Sequence, residues 1–81
     1  TEILLYPNPA NDALIVRFPR HSEIGNYHLS VSNIFGEVVL RTPIQSVEHQ
    51  VSTSRLPNGA YFVQIVQNTT TVMTTSVFIQ H

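Results

Sequence analysis

The sequence predicts an all-β fold, a seven-stranded antiparallel β-sandwich. Three observations lead there. Apolar residues recur with a period of two almost throughout, the spacing of a pleated strand with one face buried. Clusters of Pro, Gly, Asn and Asp break the alternation at intervals of about eight to twelve residues. No segment carries a capped stripe of apolar residues at helical spacing. With 81 residues, one compact core is the most that the chain sustains.

Ile3 and Leu5 lie in a first short strand, closed by Pro7-Asn8-Pro9. Each proline moves the residue before it, Tyr6 and Asn8, out of the helical region, and neither proline donates a ladder hydrogen bond. Pro9 then fits the second position of a turn from Asn8 to Asn11. Asp12 to Phe18 is the second strand, with Leu14, Val16 and Phe18 on one face and Ala13, Ile15 and Arg17 on the other. After a polar loop over 19–26, Tyr27, Leu29 and Val31 alternate with His28, Ser30 and Ser32, a half-buried third strand with a wet outer face. Asn33-Ile34-Phe35-Gly36 has asparagine first and glycine fourth, the signature of a type I turn that continues into a hairpin bulge.

Glu37 to Arg41 returns as the fourth strand with Val38 and Leu40 inward, and Pro43 breaks it. Gln45 to Val51 alternates weakly and has partly polar faces, as an edge strand does. In Leu56-Pro57-Asn58-Gly59, proline presets the second turn position, and asparagine and glycine tolerate positive φ after it. Ala60 to Gln67 is the most regular strand, with Tyr61, Val63 and Ile65 inward. Asn68 and Thr69 connect it tightly to a last strand from Thr70 to Gln80, whose β-branched residues suit a pleated surface. Seven short strands with this punctuation give the sandwich an immunoglobulin-like character, although the tryptophan and paired cysteines of antibody domains are missing.

Composition narrows the function classes. Charged residues make up 11% and hydrophobic ones 42%, the reverse of a disordered chain. Four arginines, no lysine and five acidic residues leave a net charge of −1. No basic patch is available to release counterions from nucleic-acid phosphates or to dock on an anionic membrane. The absence of cysteine excludes disulfides, thiolate zinc sites, iron–sulfur clusters and cysteine nucleophiles. His21, His28, His49 and His81 are scattered without ligand spacing. Glu2, Asp12, Glu23, Glu37 and Glu48 are dispersed as solvated charges. No Gly-x-Ser-x-Gly elbow is present. A non-enzyme with no cofactor, no metal and no small-molecule substrate is expected. No apolar run reaches the ~20 residues of a membrane-spanning helix. Thr1-Glu2-Ile3-Leu4-Leu5-Tyr6 lacks the basic start and cleavage site of a signal peptide; if the protein is exported, the signal is expected upstream of Thr1 and the chain is a piece of something longer.

The order of the turns carries more than any one of them. Leu5-Tyr6-Pro7-Asn8-Pro9-Ala10 comes first, Val31-Ser32-Asn33-Ile34-Phe35-Gly36-Glu37-Val38-Val39 lies in the middle, and Leu56-Pro57-Asn58-Gly59-Ala60-Tyr61-Phe62-Val63-Gln64-Ile65 follows. From Leu5 to Ile79 the chain resembles the type A C-terminal sorting domains of the type IX secretion system of Bacteroidetes. Tyr6, Pro7, Asn8 and Pro9 match that family's Tyr-Pro-Asn-Pro opening. Asn33 and Gly36 match its central Asp-x-x-Gly turn, and Leu56, Gly59 and Tyr61 its Leu-x-x-Gly-x-Tyr segment. The resemblance implies a sorting signal, with residues 1–81 as the single C-terminal sorting domain of a larger exported protein. Its partners are the outer-membrane translocon and a sortase-like peptidase that usually removes the domain. The cargo then passes through the periplasm to the cell surface or the medium. Three features depart from the family pattern: Asn33 replaces Asp, Glu37 stands where Lys is common, and Val72 to His81 lacks the basic residues with which many members end.

Each motif also has a plainer account. Pro7-Asn8-Pro9 ends a strand, Gly36 and Gly59 supply left-handed backbone, and Tyr61 is a core aromatic whose hydroxyl seeks a backbone partner. Val77, Phe78 and Ile79 are expected both to complete the sandwich and to offer an edge for strand addition by a partner sheet. Strand edges with no lysine to blunt them favour an edge-paired or domain-swapped homodimer of the isolated domain. The alternative reading is an immunoglobulin-like accessory, spacer or binding module of a secreted enzyme, with the same fold.

Overall fold

The computed structural model describes residues 3–81; Thr1 and Glu2, the latter one of the dispersed acidic residues, lie outside them. Among the described residues there are seven strands and no helix. These are β1 (Leu4–Tyr6), β2 (Ala13–Arg17), β3 (Tyr27–Ser32), β4 (Val38–Pro43), β5 (Glu48–Ser52), β6 (Gly59–Gln67) and β7 (Thr70–Ile79). They build two antiparallel sheets, β1-β2-β5 and β4-β3-β6-β7, the expected immunoglobulin-like sandwich. The weakly alternating β5 is an edge strand, as its polar faces require.

Alternation places the core. Leu14 and Val16 of β2, Leu29 and Val31 of β3, Val63 and Ile65 of β6, and Val77 and Ile79 of β7 are all buried between the sheets. Each such side chain contributes about 1.5–3 kcal/mol by leaving water. Phe18 and Tyr27 close one end with an edge-to-face contact, ring centroids 4.9 Å apart.

Two strand readings need correction. Val38 does not point inward but is 58% exposed. Val31 pairs with Leu40, and Ser32 with Val38, so Val39 is an extra residue in β4. A bulge of this kind reverses the facing of every residue beyond it, and of the expected inward pair only Leu40 keeps the inward phase. Ser30 faces outward as expected, yet it is not wet, being only 7% exposed. A six-residue central strand flanked on both sides leaves little room for water around a short side chain. A second bulge at Val72 shifts the register of β7 on β6 between Ile65 and Val66.

The connections segregate by end. Residues 7–12, 33–37 and 53–58 leave strands at the same end of the sandwich at which β7 finishes, as the pairings Ser32 with Phe62 and Gly59 with Ile79 fix. The loops over 18–26, 44–47 and 68–69 occupy the other end.

Candidate functional site

Every family-like motif except the Tyr6 side chain lies at that first end, and the first and last of them meet the final residues of β7. The link begins at Ala10, fully buried and bridged in parallel to Ile79. Its amide donates to the Phe78 carbonyl at 2.7 Å, and its carbonyl accepts from the Gln80 amide at 2.7 Å. Asn8 completes the clasp: its Oδ1 accepts from the Phe78 amide at 3.0 Å. Both prolines of the segment follow cis peptide bonds. Asn8 and Ala10 thereby act as a short extra strand on the outer edge of β7. The edge expected to be open at Val77, Phe78 and Ile79 is covered: Val77 and Ile79 fill the core, while the Phe78 ring stays 60% exposed.

Residues 53–61 hold the same tail from the other side. The Asn58 Oδ1 accepts from the His81 amide at 3.0 Å, and the Leu56 carbonyl lies 2.7 Å from the His81 Nε2. Positive φ falls on Gly59, at +152°, and not on Asn58. The asparagine serves through its side chain, therefore, and only the glycine through its backbone. No atom lies within 4 Å of where a Cβ on Gly59 would stand, so the requirement there is conformational. Tyr61, at the start of β6, donates its hydroxyl to the Pro57 carbonyl at 2.6 Å. That is the tyrosine corner of immunoglobulin-like sandwiches.

The central turn is built around one side chain. The Asn33 Oδ1 accepts from the Phe35 amide at 2.9 Å and the Glu37 amide at 3.0 Å. Its Nδ2 donates to the Glu37 Oε1 at 3.0 Å. Gly36 takes the left-handed φ of +85° that a type I turn with a following bulge demands. Asn33 and Glu37, the two departures from the family pattern in this turn, are thus hydrogen-bonded to each other.

Tyr6 stands apart. It pairs with Ile15 on the three-stranded sheet, and its hydroxyl reaches Glu48 at 3.4 Å. Glu48 also meets Arg17 at 3.8 Å, with both side chains more than half exposed, a contact that contributes little. Thr53 escaped the sequence reading. It is wholly buried, its hydroxyl donates to the Asn11 carbonyl at 3.0 Å, and its amide donates to the Asp12 carbonyl at 2.8 Å. These bonds join residues 7–12 to 53–58. Its sequence neighbours Ser52 and Ser54 give no sign that the middle hydroxyl of the three turns inward.

Among the described residues no three His, Asp or Glu side chains converge as metal ligands would. At the motif end, Asn33, Tyr61 and the Oδ1 atoms of Asn8 and Asn58 are hydrogen-bonded within the chain.

The comparisons agree with this geometry. The family model described as a secretion system C-terminal sorting domain matches residues 4–80, the span that contains all seven strands. No curated protein matches the chain. Domains of the matched kind are the signals that send proteins through type IX secretion to the cell surface or the medium. A match over nearly the whole sandwich, with the motif loops folded together at one end, leaves a single assignment: the chain belongs to the family of secretion system C-terminal sorting domains.

Proposed function

We propose that the chain is a type A sorting domain of a Bacteroidetes protein and forms the C-terminal export module of a larger cargo. The outer-membrane translocon of the type IX system recognises it, and a sortase-like peptidase then removes it. The observation that carries this reading is the clasp at the motif end. Asn8 and Ala10 from the first motif and Asn58 from the last hold residues 78–81, so the motifs keep the final strand folded and in place. Pro7 and Pro9 stiffen the clasp, Gly59 supplies its turn, Leu56 and Tyr61 anchor it to the core, and Gly36 shapes the separate turn over 33–37 at the same end. Val77 and Ile79 hold the strand from inside. Tyr6 contributes to the opposite sheet.

The Asn8 and Ala10 contacts also bear on self-association. With the end of β7 already covered, pairing between isolated domains would use the stretch Thr70–Ser76, which has neither proline nor charge. A weak edge-paired dimer at high concentration is the expected form, read by sedimentation.

The test of the sorting role is a fluorescent reporter with a signal peptide at its front and residues 1–81 at its end. It is expressed in a Bacteroidetes host with and without a working type IX translocon. Surface appearance that depends on the translocon, with the domain absent from the mature product, is the expected result. Periplasmic retention in both strains, with a folded domain still attached, refutes the reading and favours an accessory module.

A further inference from the structure

The outer face of the four-stranded sheet has no role in the clasp and is unusual in its chemistry. Across β3, β4, β6 and β7 the single permanently charged residue is Arg41. It forms no ion pair among the described residues; the pairs present are Arg17 with Glu48 and His81 with Asp12. Arg41 borders an open cleft of about 330 Å³ together with His28, Ser30, Val38 and Gln64. Ser30 pairs with Arg41 on one side and Gln64 on the other, so its side chain lies at the floor of the cleft between them. It is only 7% exposed, and among the described residues no buried side-chain polar atom lacks a hydrogen-bond partner; the Ser30 hydroxyl is a polar group at the cleft floor and not an orphaned one.

Apolar side chains adjoin this polar spot. Phe62 follows two residues before Gln64 on the same face and is 46% exposed; Phe78 lies diagonally across β7 from it. Val38, 58% exposed, lies in the same row as Phe62 with Ser32 between them, so exposed apolar side chains flank one unpaired cation on this face. A desolvated apolar surface around an arginine is the composition of a binding hot spot, and exposed patches of this kind on small domains mark interaction sites.

We propose that this face, centred on Arg41, docks the domain on a protein of the secretion machinery that inserts a side-chain carboxylate into the cleft. The inference rests on the sorting function proposed above and names the surface through which it acts. The carboxylate would take the Arg41 guanidinium and the Ser30 hydroxyl as donors, while apolar residues of the partner cover Val38, Phe62 and Phe78. A second copy packed through the same sheet face fits poorly. The four strands contain no carboxylate to offer Arg41, and the nearest one in sequence, Glu37, is already held by Asn33. A free small anion fits poorly too, because the open cleft excludes water only when a partner surface closes over it.

The reporter described above tests the inference with four substitutions. Arg41→Glu, Arg41→Gln and Phe62→Ser alter the face, and Arg17→Glu alters an exposed arginine on the other sheet. Urea midpoints of the variant domains are measured alongside. The expected result is that Arg41→Glu lowers translocon-dependent surface signal roughly tenfold or more, the scale of a lost interfacial charge pair. Arg41→Gln and Phe62→Ser should lower it less, and Arg17→Glu should leave it unchanged. Should Arg41→Glu lower the urea midpoint, Arg41→Gln, which keeps the length of the side chain, decides. Normal export of both Arg41 variants overturns the docking face and leaves the sorting function standing. Failure of the unsubstituted reporter to reach the surface overturns both.

Discussion

The turn at Asn33 offers a quantitative test of how this chain departs from its family. Asn33→Asp keeps the oxygen that accepts from the Phe35 and Glu37 amides, so the turn itself survives. It replaces the Nδ2 donor, 3.0 Å from the Glu37 Oε1, with a second carboxylate oxygen. Two unit charges at that distance repel by about 1.4 kcal/mol even at the dielectric constant of water. The side chains relieve part of this by swinging apart, which leaves a cost of about 0.5–1 kcal/mol. Glu37→Lys alone removes the acceptor of the amide and costs about 0.5 kcal/mol. Together the two substitutions create an exposed ion pair of opposite sign, worth about 0.2–1 kcal/mol. The double variant should therefore match the natural domain within about 0.5 kcal/mol, and the coupling energy should reach about 1–2 kcal/mol. Urea denaturation of the four proteins at pH 7 measures it. The Asn33→Asp deficit is electrostatic, so it should shrink in high salt. A coupling energy under about 0.3 kcal/mol would mean that the residues at positions 33 and 37 changed independently of each other, and the reasoning would fail.

Tyr61→Phe retains the core ring and deletes only the 2.6 Å bond to the Pro57 carbonyl; a loss of about 1–2 kcal/mol in urea denaturation is expected, and an unchanged midpoint would deny the corner its structural role. Asn8→Ala removes the acceptor of the Phe78 amide, so hydrogen exchange should accelerate at Phe78 far more than at Val63 in the centre of β6. Uniform acceleration would instead mean that Asn8 supports the whole domain, not the end of β7.

The strands were legible because burial on one face imposes a period of two, and that signal is strong in β2, β3 and β6. It failed at Val38 for a definite reason. A bulge at Val39 resets the phase, and one valine following another looks the same whether or not a residue has been inserted. Ser30 was misjudged because alternation reports direction but not depth. A short side chain on a central strand is shielded by its taller neighbours whichever way it points. The Asn58 side chain, Thr53 and Ala10 could not be found by any local rule. Their partners are distant in sequence, and the bonds exist only once the sheets are stacked. The motif residues were visible because turns need particular backbone geometry at fixed offsets, which leaves a readable order of Pro, Asn and Gly. Their meeting at one end follows from topology: the connections alternate between the two ends, and the motif loops fall on the same side of that alternation.

This placement bears on what a translocon can read. Asn8, Asn33, Asn58 and Tyr61 have the polar groups that define the motifs, and each of those groups is already bonded within the chain. A partner that read them directly would have to break bonds that hold the last strand, at Asn8 and Asn58, or that shape the turns, at Asn33 and Tyr61. Recognition of the folded surface carries no such cost, because the Phe62 and Phe78 rings and the Arg41 guanidinium face solvent with no internal duty to give up. The motifs would then be shared by family members because they specify one shape, and the export machinery would recognise that shape. On this view a chain with every motif intact but a disrupted outer sheet face should fold and stay behind. A chain with a weakened motif but enough core stability to remain folded should still be exported.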